Sequence, residues 1–475
     1  MRFGVALAAF AATLPYQVNS SGPVSTVAIT VDAERQYQTI DGFGISEAFQ
    51  RANAVKTGLS VEERGKALDL LFSDENGAGL TILRNGIGSS ASYSRDWMKS
   101  IAPTSPPSSN STLKYEWDGD DAGQVWMTKE AMKRGLKTVY ANAWSAPAYM
   151  KTNNQDSNGG RICGVPGANC STGDWRQPFA NYLVQLVRFY KEKEGIDITH
   201  LGWLNEPDLN QTYASMLSDG FQAADFLKIL HPTLTREGFG HVKIVCCEAT
   251  GWQDGEDLLY ELQTSPGAEE MLSVYSSHGY SVNPALPLRT SRKVWQTEWA
   301  DLNGKWNPAW DNLGKEGEGI TWANKIHSAL TLSNISGFLY WIGAARTPNN
   351  DALVQVMNGT VTPSGRLWAF AGFSRFVKPG ATRVDARSSV GWVKVSAFVN
   401  ADGALVVVVI NNGPDDLEAE IDVKRYTSKK DIVTPFITDN ANQGTKGEEL
   451  RTSGDDGNLK VVASVKRRSM TSFVL

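Results

Sequence analysis

Cysteine is scarce in this chain, four residues in 475. None sits in the paired spacing of a structural zinc site, so no metal centre of that kind is expected. A long basic run is missing too. Lys and Arg number 46 against 51 Asp and Glu, a net charge of −5, which argues against nucleic acid or an anionic membrane surface as a partner. Beyond the N-terminus no apolar stretch is long enough to cross a bilayer. There is no phosphate-binding loop, and Asp41-Gly42-Phe43-Gly44 lacks the third glycine of a dinucleotide fingerprint, so no nucleotide cofactor is expected. What is present is a hydrophobic fraction of 41%, ample for a large core, with 15 Trp and 14 Tyr. Flat ring faces with polar edges suit sugars, although the same rings also fill cores.

One arginine followed by the Ala-rich stretch from Val5 to Leu14 reads as a secretory signal peptide, residues 1–20, cleaved between Ala12 and Ser21. Outside the cell a small-loop disulfide between Cys163 and Cys170 becomes available. Cys246 and Cys247 lie in a strand-like run, where successive side chains point to opposite faces, so both are expected to be buried and unpaired. Glycosylation sequons occur at Asn110, Asn169, Asn210, Asn334 and Asn358.

Short β-prone runs alternate with amphipathic helices over residues 41–368. The strand runs end near Gly86, Trp144, Glu206, Cys247, Tyr280, Glu298 and Trp341, with a first strand after Asp41. Helices are expected at 61–72, 127–134, 179–194, 223–230 and 322–332. This order predicts an α/β fold, a (β/α)₈ TIM barrel. The polar, Pro- and Ser-rich insert from Gly88 to Asp121 reads as a cleft wall. After about Trp368 short alternating strands are separated by Gly, Asn and Asp turns, which predicts an antiparallel β-sandwich over 369–475. Residues 24–40 alternate like one more strand.

The chemistry is concentrated at two strand ends. The run His200-Leu201-Gly202-Trp203-Leu204 stops in Asn205-Glu206-Pro207, because proline cannot continue a ladder of N–H donors. Lys293-Val294-Trp295-Gln296-Thr297 ends likewise in Glu298. In a (β/α)₈ barrel such positions lie on the catalytic lip. Two carboxylates there, with aromatics and no metal motif, point to glycoside hydrolysis.

These segments, with Tyr37-Gln38-Thr39-Ile40-Asp41-Gly42-Phe43-Gly44 and Phe338-Leu339-Tyr340-Trp341, resemble glycoside hydrolase family 30, part of a clan of retaining (β/α)₈ glycosidases. The resemblance covers nearly the whole mature chain. It implies that residues 24–40 join the C-terminal β-sandwich, that Glu206 is the acid/base and Glu298 the nucleophile. Glu206 must then hold a proton while Glu298 is ionised. Asn205 is expected to meet the sugar 2-hydroxyl, or else to cap the following turn. Trp144 and Trp341 are candidates for stacking on sugar faces. Tyr280 can hydrogen-bond Glu298. His278 is either part of the site or a satisfied core histidine, and Arg84 either supports a catalytic carboxylate or forms a structural ion pair. The stretch Ser46-Glu47-Ala48-Phe49-Gln50-Arg51 is similar to that of fungal members that act on glucuronoxylan, where an arginine grips the methylglucuronic acid side group. Without the resemblance, Arg51 would read as an exposed helix residue.

The favoured expectation is a secreted, monomeric retaining xylanase acting on glucuronoxylan of the plant cell wall, with no cofactor, no metal, no nucleic acid and no membrane partner. An endo-β-1,6-galactanase of the same family, acting on arabinogalactan, is the alternative within that chemistry. A non-catalytic sugar-binding protein is the alternative outside it.

Overall fold

The computed structural model describes residues 25–93, 97–427, 431–455 and 457–475. The segment read as a signal peptide lies outside the described residues.

Strand β1 (Ser25–Thr39) precedes the barrel. The barrel begins with β2 (Gly42–Ser46), followed by α1 (Arg51–Lys56), α2 (Val61–Phe72) and β3 (Ile82–Ile87). Ser60 starts α2 by accepting a hydrogen bond from the Glu63 N–H, and Glu62 and Glu63 place negative charge in its first turn. Then come α3 (Gln124–Met132), β4 (Thr138–Ala143), α4 (Arg176–Glu194), β5 (His200–Gly202), α5 (Gly220–Arg236), β6 (Lys243–Ala249), α6 (Trp252–Gln263), β7 (Val274–Ser277), β8 (Lys293–Gln296), α7 (Gly319–Leu332) and β9 (Gly337–Ala345). Strands β2 to β9 pair in sequence order, all parallel, and β9 pairs with both β8 and β2, which closes the barrel. Its interior holds Ile82, Tyr140, Val245, Val274, Trp295 and Leu339 as a packed cluster. At the N-terminal end the Trp295 indole donates to Asp41 at 2.9 Å.

The sandwich takes in β1 between the strands Thr382–Ser388 and Leu417–Lys424. The pairing with Thr382–Ser388 is antiparallel, whereas that with Leu417–Lys424 is parallel, the exception in an otherwise antiparallel sheet. Val27, Ile29 and Val31 of β1 are buried in the sandwich core, as the alternation of that segment requires.

Several elements depart from expectation. Helix α8 (Gly365–Ser374) spans residue 368, and all ten of its residues are buried. A helix buried all round shows no 3.6-residue stripe, so periodicity does not reveal it. Helix α6 adds to the expected set and buries a face formed by Trp252, Gly255, Leu258, Leu259 and Leu262, and a short hairpin, β10 (Ala352–Met357) and β11 (Thr360–Pro363), extends the sheet beside β9. The β7–β8 connection, residues 278–292, carries no helix. Cys163 and Cys170 are bonded. Cys246 and Cys247 are also bonded to each other, against expectation, and a cis peptide joins them. The alternation argument holds only for trans linkages. Across a cis bond neighbouring side chains need not diverge.

Gly44 explains part of the Asp-Gly-Phe-Gly motif. A Cβ there would stand 2.3 Å from the Ile82 carbonyl oxygen of the adjacent strand. Gly44→Ala is therefore expected to lower stability by about 1–3 kcal/mol, since backbone rather than a mobile side chain must give way. Thermal and urea unfolding midpoints measure this, and an unchanged midpoint would refute it.

Candidate active site

The C-terminal ends of the barrel strands carry the polar residues of the site, above the interior cluster that includes Ile82, Val245, Trp295 and Leu339. Strand β5 is only three residues long and ends before Trp203, so Glu206 lies on a short extension rather than on the strand itself. Its backbone turns into the left-handed region, φ 45°, and its N–H donates to the Glu248 carbonyl at 2.7 Å. Glu298 follows β8 by two residues. Both carboxyls are almost entirely buried, 6% and 5% exposed. One oxygen of each lies within 4.8 Å of the other, with a His278 ring nitrogen inside the same distance.

Arg84, on β3, is fully buried beneath them. Nη1 donates to Glu298 Oε2 at 2.5 Å, and Nη2 donates to Asn205 Oδ1 at 2.6 Å and Glu248 Oε2 at 2.5 Å. The guanidinium lies 4.3 Å from the Trp144 ring centroid. Tyr280 donates to Glu298 Oε1 at 3.1 Å. His278 bridges two carboxylates: Nδ1 is 3.2 Å from Glu206 Oε1 and Nε2 is 3.1 Å from Glu248 Oε2. Thus Arg84, Asn205, Glu206, His278, Tyr280 and Glu298 are brought into one network.

A cleft of about 560 Å³ opens above this floor, lined by Phe49, Arg51, Trp97, Trp144, Tyr213, Leu302 and Trp341 together with both glutamates. Trp97 comes from the 88–121 insert. Arg51 is the first residue of α1 and stands on the cleft wall. Trp341 is partly exposed, whereas Trp144 is only 2% exposed, so little of its ring borders the cleft. Asn210, the sequon residue nearest Glu206, is exposed on the loop that also supplies Leu209 and Gln211 to the cleft. A larger open groove of about 1020 Å³ runs past Asp311, Asp439 and Arg468 on the sandwich side. It has no aromatic lining and no buried carboxyl pair, so the smaller cleft is where chemistry is possible.

The charges follow from burial and neighbours. Burial opposes the Glu248 carboxylate, but Arg84 and then His278 overcome it and hold Glu248 down at about 2. Burial likewise opposes charge on His278, and Glu298, Glu206 and Glu248 reverse that and raise it to about 10. Arg84 is held above its ordinary value against burial by Glu248 and Glu298. Burial pushes Glu298 upward and Glu206 adds to this, against the pull of His278 and Arg84. Glu206 lies close enough for its charge to oppose ionisation of Glu298.

Three groups were not singled out from sequence. Glu248 accepts from Arg84, Tyr140 and His278 and is fully buried. It carries the same signal as the other two glutamates, an acid closing the apolar run Ile244-Val245-Cys246-Cys247. Tyr213 donates to Glu206 Oε2 at 3.3 Å from an irregular loop, for which no periodic signal exists. Glu47 is buried after β2, accepts from the Ala344 N–H at 2.8 Å and is pushed by burial to about 8.

Residues 26–280 match the model of O-glycosyl hydrolase family 30, and residues 380–473 match the glycosyl hydrolase family 30 β-sandwich domain. The catalytic domain of GH30 xylanase C from Talaromyces cellulolyticus is 42% identical and superposes with a TM-score of 0.86, over 94% of this chain and 99% of that one. The endo-1,6-β-D-glucanase neg1 of Aspergillus fumigatus is 25% identical, over 85% of this chain and 85% of its own. The putative glucosylceramidase 1 of Caenorhabditis elegans is 25% identical, over 82% of this chain and 77% of its own.

Arg84→Met would leave Glu248 and Glu298 buried with His278 as their remaining cation. A loss of about 3–5 kcal/mol is expected near neutral pH. Glu248 is held at about 2, below its ordinary value of 4.5. The stabilisation it gains from Arg84 is therefore complete above that ordinary value and disappears as pH falls toward about 2. Urea unfolding at about pH 7 and about pH 3 should show the gap between wild type and variant shrinking in acid. A gap of equal size at both would contradict the ion-pair origin.

Proposed function

As the chain belongs to glycoside hydrolase family 30, a family of retaining glycoside hydrolases, we propose that it cleaves the β-1,4-xylosidic bonds of xylan by double displacement, with Glu298 as nucleophile and Glu206 as acid/base. The observation that carries this reading is the buried carboxyl pair on the cleft floor, with one oxygen of each within 4.8 Å of the other. Retaining chemistry needs about 5–5.5 Å between the two groups, whereas an inverting pair needs about 6.5–9.5 Å to admit water. In the first step Glu298 attacks the anomeric carbon while Glu206 protonates the leaving oxygen. In the second, Glu206 takes a proton from water and the glycosyl ester on Glu298 is broken. Arg84 and Tyr280 stabilise the ionised nucleophile through the bonds they donate to it.

Xylan as substrate is supported by 42% identity to a xylanase over nearly the full length of both chains. Arg51, on the cleft wall, is the residue we assign to a glucuronic acid side group, since a guanidinium grips a carboxylate in two places. Trp341 supplies a stacking face, and Asn205 a polar contact to the sugar. In this reading residues 41–368 form the catalytic barrel, while 24–40 and 369–475 brace it. Action outside the cell is supported by the two disulfides, and plant cell-wall polysaccharide as substrate by the likeness to a xylanase. Among the described residues no helix is long and apolar enough to cross a membrane.

Product analysis on glucuronoxylan, unsubstituted xylan and de-arabinosylated arabinogalactan tests the assignment. Acidic xylo-oligosaccharides are expected from glucuronoxylan, and Arg51→Ala should abolish the preference for it over unsubstituted xylan. Galactose oligomers would transfer the protein to the galactanase alternative. No product from any of the three would support a sugar-binding protein. Glu206→Ala should lose roughly 10²–10⁴-fold in kcat/KM, and Glu298→Ala should fall to background. Near wild-type activity in either variant would refute the catalytic roles.

A further inference from the structure

Glu248 takes no part in bond breaking, yet it is the point at which the supports of both catalytic carboxyls meet. Its Oε2 accepts from Arg84, which holds Glu298, and from His278, which holds Glu206. Its Oε1 accepts from Tyr140 at 3.0 Å. The groups facing this cluster come from six consecutive barrel strands, β3 to β8. They are Arg84 on β3, Tyr140 on β4, Asn205, Glu206 and Tyr213 after β5, Glu248 on β6, His278 and Tyr280 after β7, and Glu298 after β8. On the β2 side Glu47, raised to about 8 by burial, is neutral at ordinary working pH, and Arg51 stands further out on the wall.

We propose that Glu248 fixes the charge beneath the catalytic pair, so that one and only one of Glu206 and Glu298 is ionised at each stage of the reaction. The inference rests on the roles assigned to those two residues above. Arg84 and His278 supply two positive charges and Glu248 removes one, which leaves a single positive charge to be matched. Before attack it is matched by ionised Glu298. As the bond from Glu298 to the anomeric carbon forms and the glycosidic bond breaks, the Glu206 proton passes to the leaving oxygen. Glu298 is then a neutral ester and Glu206 carries the charge. In the second step a water proton returns to Glu206, the water oxygen bonds to carbon, and the charge returns to Glu298. The total never changes, so the buried site never holds an unmatched charge.

The geometry requires His278 to keep both its protons. Each ring nitrogen faces a carboxyl oxygen. If only Nδ1 carried hydrogen, the Nε2 lone pair would face Glu248 Oε2, an oxygen of the carboxylate that Arg84 holds ionised; if only Nε2 did, the Nδ1 lone pair would face Glu206 Oε1 and be satisfied only by a Glu206 proton on that oxygen. A proton there points into the floor. The other oxygen, Oε2, lies beside Tyr213, which lines the cleft, and is the one able to serve a leaving group. With His278 doubly protonated, Oε1 accepts and Oε2 is left to carry the transferable proton.

The test is a charge cycle read in pH profiles of kcat/KM on whichever polysaccharide the product analysis identifies. Glu248→Gln removes a negative charge at constant shape and should move the whole bell to lower pH by about one unit or more. His278→Gln removes a positive charge and should move it to higher pH. The double variant restores the single positive charge of Arg84 and should bring the bell back toward its wild-type position. A residue that only scaffolds would lower activity without moving the profile. Superimposable profiles, or shifts of the same sign in both single variants, would overturn the proposal. Should the variants not fold, ring ¹⁵N shifts of His278 in the wild-type protein decide the matter. An imidazolium throughout the active pH range supports the proposal, and a neutral ring at the optimum overturns it. Neither result depends on whether Glu206→Ala or Glu298→Ala is inactive, so failure here is distinguishable from failure of the catalytic assignment.

Discussion

A guanidinium with no exposed surface is the constraint around which this molecule is arranged. Moving a cation out of water is costly, and the cost is offset only by close, well-aligned acceptors. Arg84 finds three: Asn205 from the extension of β5, Glu248 from β6 and Glu298 from beyond β8, with the Trp144 ring beside it from the end of β4. One side chain therefore ties together the C-terminal ends of five strands. A register error in any of them would strand a buried charge, which costs more than a misplaced apolar side chain. The cluster thus positions reactive groups and also penalises alternative packings.

The barrel makes such an arrangement possible. Parallel strands deliver all their C-terminal ends to one face, and residues far apart in sequence converge there. The short β5 is important in this respect. Because its ladder stops at Gly202, the chain has room to turn at Glu206, where the backbone N–H is taken up by the Glu248 carbonyl of the next strand. The catalytic-lip glutamate is thus fixed through its backbone as well as its carboxyl. On the outside, the sandwich is interlocked with the barrel rather than merely tethered to it. Gln38 of β1 donates to the Leu330 and Ile335 carbonyls, Arg383 donates to Asn334, and the Trp310 indole donates to the Arg468 carbonyl. These contacts reach the β8–β9 connection, the same connection that follows Glu298.

Sequence revealed those features that leave a periodic or terminal mark. An apolar run closed by an acid and then proline, as at Glu206, is visible without coordinates, and so is the change from helix–strand alternation to short alternating strands, although helix α8 carries the former on to Ser374. Glu248 has a comparable mark but stands behind two cysteines, whose own interpretation assumed a trans linkage. Tyr213 leaves no mark, because an irregular loop has no period to read. Helix α8 hides for the opposite reason: every face is buried, so no polar face frames an apolar one. The parallel neighbour of β1 was equally hidden, since alternation reports which face is buried and not which strand lies alongside.

The division of labour between floor and rim bears on how substrate is chosen. The floor is built from strand ends whose side chains are held on both sides by other buried groups. The rim is built from α1, from the insert that supplies Trp97 and from the loop that supplies Tyr213, all partly exposed. Bond cleavage requires the floor to stay fixed, because a shift of one carboxyl would break several charge-assisted hydrogen bonds at once. Polysaccharide choice requires the rim to differ between related enzymes, and loops tolerate such differences. In the proposed charge balance, the floor's single positive charge is offset by one carboxylate of the Glu206–Glu298 pair, which would leave little net field in the cleft. Under the proposed function, an acidic side group on a sugar chain would then meet chiefly the charge of the wall, where Arg51 stands. In the proposed mechanism, the charge balance that lets Glu206 and Glu298 exchange a single charge would also leave discrimination between charged and neutral substrates to a residue outside the reaction.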